Sequence, residues 1–257
     1  MVRALYTGYT GMYNEQNRLD IISNNIANAA TTGYKQESVT SQAFDQMLAI
    51  KVRDGSDAYI NRPIGRMSLG VKLGEVYTDY EQGSLRQTSG TYDMAISGGG
   101  FFQMRIPSQS GESVIKYTRD GNFNMTSEGF IVDRDGNHLQ GLSGDLKVDP
   151  AAAEVTITKE GFVQVDGQIT DRISLVDFED YDYLEKYGDN MYQVVEGATI
   201  KEANAGIEQG YLEQSNVNVV SEMVDMITIT RAYEANQKVI RSVDTMLDKA
   251  SNQIGRV

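Results

Sequence analysis

The chain has 257 residues, 23 of them basic and 36 acidic, with no cysteine and no tryptophan. The net charge of −13 excludes the basic stripe that nucleic-acid binders need, and the missing cysteine excludes a disulfide framework or a thiolate metal site. The charge is uneven: residues 1–35 hold three basic and two acidic groups and residues 217–257 five of each, so nearly all the excess lies between them. Neutral ends suit surfaces that pack against copies of themselves, and an acidic middle suits a solvated exterior.

Residues 3–29 read as a helix. Leu5, Met12, Leu19 and Ile26 recur every seven residues, with Ile22 filling an intermediate position. Gly8 and Gly11 weaken the first turns by about 1 kcal/mol each relative to alanine. The run before them has no block of about seven apolar residues, so it is not expected to be a cleavable secretory signal. Nothing approaches the roughly 18 apolar residues of a membrane span. Gly33, after an Asn/Thr cluster, is the expected left-handed C-cap.

Around Phe44, Met47, Leu48 and Ile50 a short amphipathic segment is compatible with a helix. The stretch from Asp54 to Gly74, with Pro63 and four glycines, reads as an extended connector. From Val71 to about Ile200, short alternating runs such as Asp93–Ser97, Glu154–Thr158 and Phe162–Val165 are separated by turn dipeptides. Asp120-Gly121, Glu128-Gly129, Asp135-Gly136, Glu160-Gly161 and Asp166-Gly167 are among these. That spacing predicts an antiparallel β domain built of hairpins. The tetrapeptide Arg-Asp-Gly-Asn occurs at 119–122 and again at 134–137, as two similar turns.

Beyond Gly210, Ser215, Asn216 or Asn218 serves as N-cap for a long C-terminal helix. With no glycine or proline up to Ile254, it can run about 36 residues, roughly 54 Å at 1.5 Å per residue. Its a and d positions are Val219, Glu222, Met226, Ile229, Tyr233, Asn236, Ile240, Val243, Leu247, Ala250 and Ile254. A stripe of this period seeks a partner helix rather than a globular core. Polar residues at such positions fix register at some cost in stability.

Chemistry-bearing candidates are sparse. Ser97-Gly98-Gly99-Gly100 precedes a β-like aromatic run, Phe101-Phe102, and so lacks the strand–turn–helix context of a phosphate loop. Asp133, Asp135 and Asn137 surround Gly136 without the position-twelve glutamate of a calcium loop. His138 is the only histidine and has no serine–carboxylate spacing suggestive of a triad. Glu179, Asp180 and Asp182 sit in a Tyr/Asp-rich loop. The expectation is therefore no enzyme, no cofactor and no metal.

Three dispersed groups of residues resemble the bacterial flagellar rod and hook axial proteins. The first is Ala4-Leu5-Tyr6-Thr7-Gly8 with Asn24-Asn25-Ile26-Ala27-Asn28-Ala29-Ala30-Thr31-Thr32-Gly33-Tyr34-Lys35. The second joins Gly83-Ser84-Leu85-Arg86-Gln87-Thr88, Asp93–Phe102 and Tyr117-Thr118-Arg119-Asp120-Gly121-Asn122-Phe123. The third joins Ser215-Asn216-Val217-Asn218-Val219 with Arg231-Ala232-Tyr233-Glu234-Ala235-Asn236. Ala29-Ala30 depart from a frequent Val-Asn. The likeness covers nearly the whole chain, whose length is similar to that of the rod members, distal or proximal, rather than the longer hook members.

The resemblance implies an α+β fold in which long N- and C-terminal helices pair as a coiled coil beside a central, mainly antiparallel β domain. The expected division is 1–35 with 216–257 as helical core, 36–80 with 201–215 as connector, and 81–200 as outer β domain. It also implies a structural subunit that polymerises helically into a hollow shaft. Its partners would be copies of itself, other rod and hook axial proteins, a type III export apparatus and bushing rings around the rod. The expected assembly interface is Leu5, Met12, Leu19, Ile22, Ile26, Met226, Ile229, Tyr233, Asn236, Ile240, Val243, Leu247 and Ile254. The contrasting expectation is an extracellular oligomeric binding protein in which the helices form only a stalk.

Overall fold

The computed structural model describes residues 2–50, 63–106, 113–152, 154–188 and 190–254. The fold is α+β, and every strand pairing among these residues is antiparallel. Two units divide the chain: Met1–Ala27, Glu37–Asp79 and Asn218–Val257 form the first, and Asn28–Gln36 with Tyr80–Val217 the second. The segments expected to form a connector, 36–80 and 201–215, are shared between these units and carry strands.

The first unit is built on helices α1, Val2–Ala27, and α2, Val219–Lys249. Asn218 is the N-cap of α2, its side-chain oxygen accepting from the amides of Val220 and Ser221. A wider turn, Ala250–Ile254, ends the helix. The helices pack antiparallel: Gly8 faces Ile240, Gly11 faces Asn236, and Asn25 donates to Glu222 at 3.3 Å. A Cβ on Gly11 would meet the Asn236 amide at 2.9 Å, so these glycines permit a close approach that their low helix propensity otherwise disfavours. No described helix is long and apolar enough to cross a membrane.

A two-stranded ribbon completes this unit. Glu37–Ala43 pairs with Val71–Thr78, and further along Met47–Ile50 pairs with Pro63–Met67. The segment around Phe44 and Met47 is thus extended, not helical, and Pro63 to Gly74 is paired strand rather than open connector; 51–62 lie outside the described residues. Short apolar runs fit either period, and here a partner strand in register decides for β. Asn14 Nδ2 donates to Ser41 Oγ at 2.9 Å, and Asn25 holds the backbone of Glu37 at both its N–H and its carbonyl, so α1 turns a polar face to the ribbon.

The second unit centres on a ten-stranded sheet. Leu184–Tyr187, Met191–Val194, Val114–Thr118, Phe101–Ile106 and His138–Gly141 are successive neighbours in it. Alternation along Phe101–Ile106 feeds two cores. Phe102 and Met104 join Met94, Ile96, Phe123, Ile131, Leu139 and Ile207, while Phe101 joins Tyr117, Phe178 and Tyr192. Strand Leu85–Gln87 pairs with Tyr211–Glu213, and Met94–Ser97 with Gly206–Gln209, so the late strands close back on the early ones.

Gly33 is left-handed, with φ +68, but it lies beyond the end of α1 at Ala27 and does not cap it. Its N–H donates to the Glu213 carbonyl at 2.9 Å. A side chain there would strike the Arg119–Asp120 peptide at 2.5 Å. The residue is needed for a tertiary approach, which local sequence does not show.

Candidate assembly surfaces and a buried clasp

The heptad positions of α2 fall on one face. Glu222, Ile229 and Val243 are buried; Val219, Met226, Tyr233, Asn236, Ile240 and Ala250 are half-buried; Leu247 is exposed. The backbone of Ile254 closes the final turn, and its side chain lies outside the described residues. On α1, Leu5, Met12, Leu19, Ile22 and Ile26 are all half-buried. The stripe thus meets its mate within the chain along an antiparallel pair.

This packing is thin. Ile229 and Val243 are the two apolar side chains of the first unit that are fully buried among the described residues; the other buried apolar side chains belong to the second unit. Meanwhile Tyr6, Tyr9 and Tyr13 on α1, and Val220, Met223, Val224 and Ile227 on α2, are exposed. Clusters of exposed apolar side chains on a helix face mark interaction surfaces.

The second unit holds a cluster that sequence reasoning missed. Glu213 is fully buried and accepts from Lys35 Nζ at 2.6 Å and from Arg119 Nη1 at 3.3 Å. The Gly83 amide donates to the same carboxylate at 3.0 Å, Lys35 also donates to the Glu81 carbonyl at 2.7 Å, and Arg119 Nη2 donates to Gly98 O at 2.9 Å. The guanidinium carbon lies 5.3 Å from the centre of the Phe101 ring. Asn216 extends the network, accepting from the Gln36 amide at 2.7 Å and donating to Glu81 O at 3.3 Å. Charges this deep persist only when paired and hydrogen-bonded. The clasp therefore ties Thr32–Gln36, Glu81–Gly83, Arg119–Asp120 and Glu213–Asn216, four stretches far apart in sequence. The available signal was Lys35, Arg119 and Glu213 standing inside or beside three of the family-like motifs, far apart in sequence.

Beside it, Asp120 accepts from Thr32 Oγ1 at 2.6 Å, from Asn190 Nδ2 at 2.9 Å and from the Asn122 amide at 3.0 Å. Burial pushes its carboxyl above the usual range, outweighing the Thr32 and Asn122 hydrogen bonds that lower it. With the folded pKa above the unfolded one, ionisation penalises the folded state, and that penalty fades as pH falls through the folded pKa. Asp120→Asn keeps Oδ1 as acceptor for Thr32 and Asn122, requires Asn190 to turn its amide oxygen toward the new NH₂, and removes the charge. It is expected to be more stable than the parent at pH 7 and to lose that advantage in acid, read from urea midpoints at pH 7 and pH 4. An equal difference at both would rule the ionisation out as its cause.

The other candidates resolve into turns. Gly98–Gly100 joins strand Met94–Ser97 to strand Phe101–Ile106, so no helix N-terminus follows the glycines. Asp133 Oδ1 accepts from the amides of Asp135 and Asn137, as a hairpin turn requires. Asp180 caps the short 3₁₀ turn Tyr181–Tyr183. His138 Nδ1 is 3.2 Å from Asp145, and its pKa is lowered by burial and by Arg105. Among the described residues no group of three or more His, Asp or Glu is placed to hold a metal ion.

Three family models match the chain. They are described as flagella basal body rod protein, over residues 5–35; flagellar hook protein FlgE/F/G D1 domain, over 95–165; and flagellar basal body rod FlgEFG protein C-terminal, over 208–253. The chain is 34% identical to flagellar basal-body rod protein FlgG of Bacillus subtilis, covering 98% of this chain and 99% of that one. It is 37% identical to FlgG of Caulobacter vibrioides, covering 97% and 98%, and 35% identical to FlgF of the same organism over the full length of both.

Proposed function

Because the chain belongs to the family of flagellar basal-body rod proteins, we propose that it polymerises helically into a hollow shaft that transmits torque from motor to hook. It is a structural protein of the basal body and not an enzyme. On this reading the terminal helices pair as a coiled coil in the inner wall of the shaft. The distal rod, or its proximal paralogue, is the place assigned to it. Its partners are copies of itself and neighbouring axial proteins, with a type III apparatus for export and bushing rings around the shaft.

The observation that carries the reading is the thin core of the helical unit, with exposed apolar faces on both of its helices. A unit that buries so little by itself gains its remaining stabilisation from neighbours, and heterologous contacts that do not close generate an open helix of copies. Immunogold or cryo-electron localisation of a tagged chain in isolated basal bodies tests this directly. Its absence from the rod, with motility otherwise intact, would overturn the proposal.

A second consequence concerns the free subunit. With two fully buried apolar side chains, α1 and α2 are expected to be loosely held before assembly. Far-ultraviolet circular dichroism at low micromolar concentration should show much less helix than their 26 and 31 residues would give. Full helicity without polymer, melting together with the β unit, would contradict it.

A further inference from the structure

We infer that the tyrosine-lined groove of the first unit receives the exposed apolar turns at the start of α2 from a second copy of the chain. This rests on the rod reading and names the contact that builds the polymer. The groove, about 740 Å³, is lined by Arg3, Tyr6, Tyr9, Phe44, Asp45 and Met47, together with Thr10 and Leu69. Tyr6, Tyr9 and Met47 are each more than half exposed, so these apolar side chains of the groove are largely uncovered by the described residues.

The matching surface lies on the back of α2. Val220, Met223, Val224 and Ile227 recur at three- and four-residue spacing on the face opposite the Glu222–Ile229–Val243 seam, and Val220 is 73% exposed. They span about 10 Å of helix, the same length as Tyr6 to Tyr13 on α1. Past Ile227 the same face continues with Arg231 and Glu234, both exposed and in no ion pair among the described residues. The groove presents one acid, Asp45, and one base, Arg3, to meet them.

The occupant is a second copy because the first cannot reach. In the antiparallel register that sets Gly8 against Ile240 and Asn25 against Glu222, the stripe at 220–227 lies beside the far end of α1. The near edge of the groove, at Tyr9, is about 11 residues from the position opposite Ile227, on the order of 16 Å along the helix, and the two centres are about 17 residues apart. Two different patches that join head to tail give an open array rather than a closed pair. A contact of this kind counts most when many act at once along a polymer.

The chain has no cysteine, so engineered pairs report without background. Tyr9→Cys and Ile227→Cys are combined in one chain, produced in cells, and basal bodies are isolated and oxidised. In a single molecule the two positions are about 11 residues out of register, roughly 16 Å, beyond the ~7 Å Cα separation a disulfide allows. The expected result is a ladder of dimers, trimers and higher species on non-reducing gels, with no ladder from either single variant. Tyr6→Cys with Val224→Cys is run alongside and should give the same ladder. Rods that contain either double variant but yield no ladder, or whose groove cysteine links to a different protein, overturn the inference. A parent chain missing from basal bodies overturns instead the rod reading on which it rests.

Discussion

Replacing Glu213 with alanine is expected to cost the second unit about 3–5 kcal/mol, the range for removing one member of a buried ion pair. Lys35, Arg119 and Glu213 are each no more than 3% exposed, so water cannot replace the lost carboxylate. Lys35 and Arg119 would keep their bonds to the Glu81 and Gly98 carbonyls but lose their counter-ion, and the Gly83 amide would lose its carboxylate acceptor. Against a total stability of about 5–15 kcal/mol for a typical domain, that loss is large. Urea unfolding followed by tyrosine emission measures it, since the chain has 15 tyrosines and no tryptophan. A loss under about 1 kcal/mol would mean that the charges are not held as the geometry shows. Replacing all three at once, as Lys35→Met, Arg119→Met and Glu213→Leu, should recover most of the loss, because apolar residues of similar volume stabilise such a site as well as the ions do.

Ile240→Asp is expected to abolish incorporation into the rod while leaving the second unit folded. Ile240 packs against Gly8, where an added Cβ would lie 3.2 Å from its Cγ1, so a carboxylate there is driven into the closest approach of the two helices. Leaving it ionised and unpaired costs several kcal/mol, more than a unit with two fully buried apolar side chains can absorb. Val239→Asp, one residue along and 45% exposed, serves as the control and should leave helix pairing intact. Basal bodies scored for the tagged variant, with proteolysis of the purified subunit to report on the β unit, separate loss of assembly from loss of folding. Normal rods containing Ile240→Asp would show that this face of α2 does not decide helix pairing.

The elements differ in how far they were legible. The stripe on α2 is legible as one face, because a period close to 3.5 fixes which side chains share a face whatever the surroundings, and from that face Asn236 and Ile240 meet Gly11 and Gly8 of α1. The hairpin texture of 93–165 was equally plain, since left-handed turn chemistry and alternation are local. The ribbon at 37–78 was not: Phe44 and Met47 carry no decisive period, and the strand that captures them comes from residues 63–78. Gly33 was recognised as left-handed but given the wrong task, because its true constraint is the Arg119–Asp120 backbone pressing on it. The two Arg-Asp-Gly-Asn tetrapeptides make the same point. Arg119 in the first is buried in the clasp, while Arg134 in the second is exposed in a turn.

By itself, then, the sequence determined the helices at both ends, the β texture between them and the family. These follow from periodicity, turn residues and composition, which act over a few neighbours at a time. The tertiary structure alone decided the register that sets Gly8 and Gly11 against α2, the pairing of the ribbon, and the gathering of Lys35 and Arg119 around the Glu213 carboxylate. Such features depend on which distant segments meet, and the energy of a buried charge or a close helix approach is set by the partner that arrives rather than by the residue that waits.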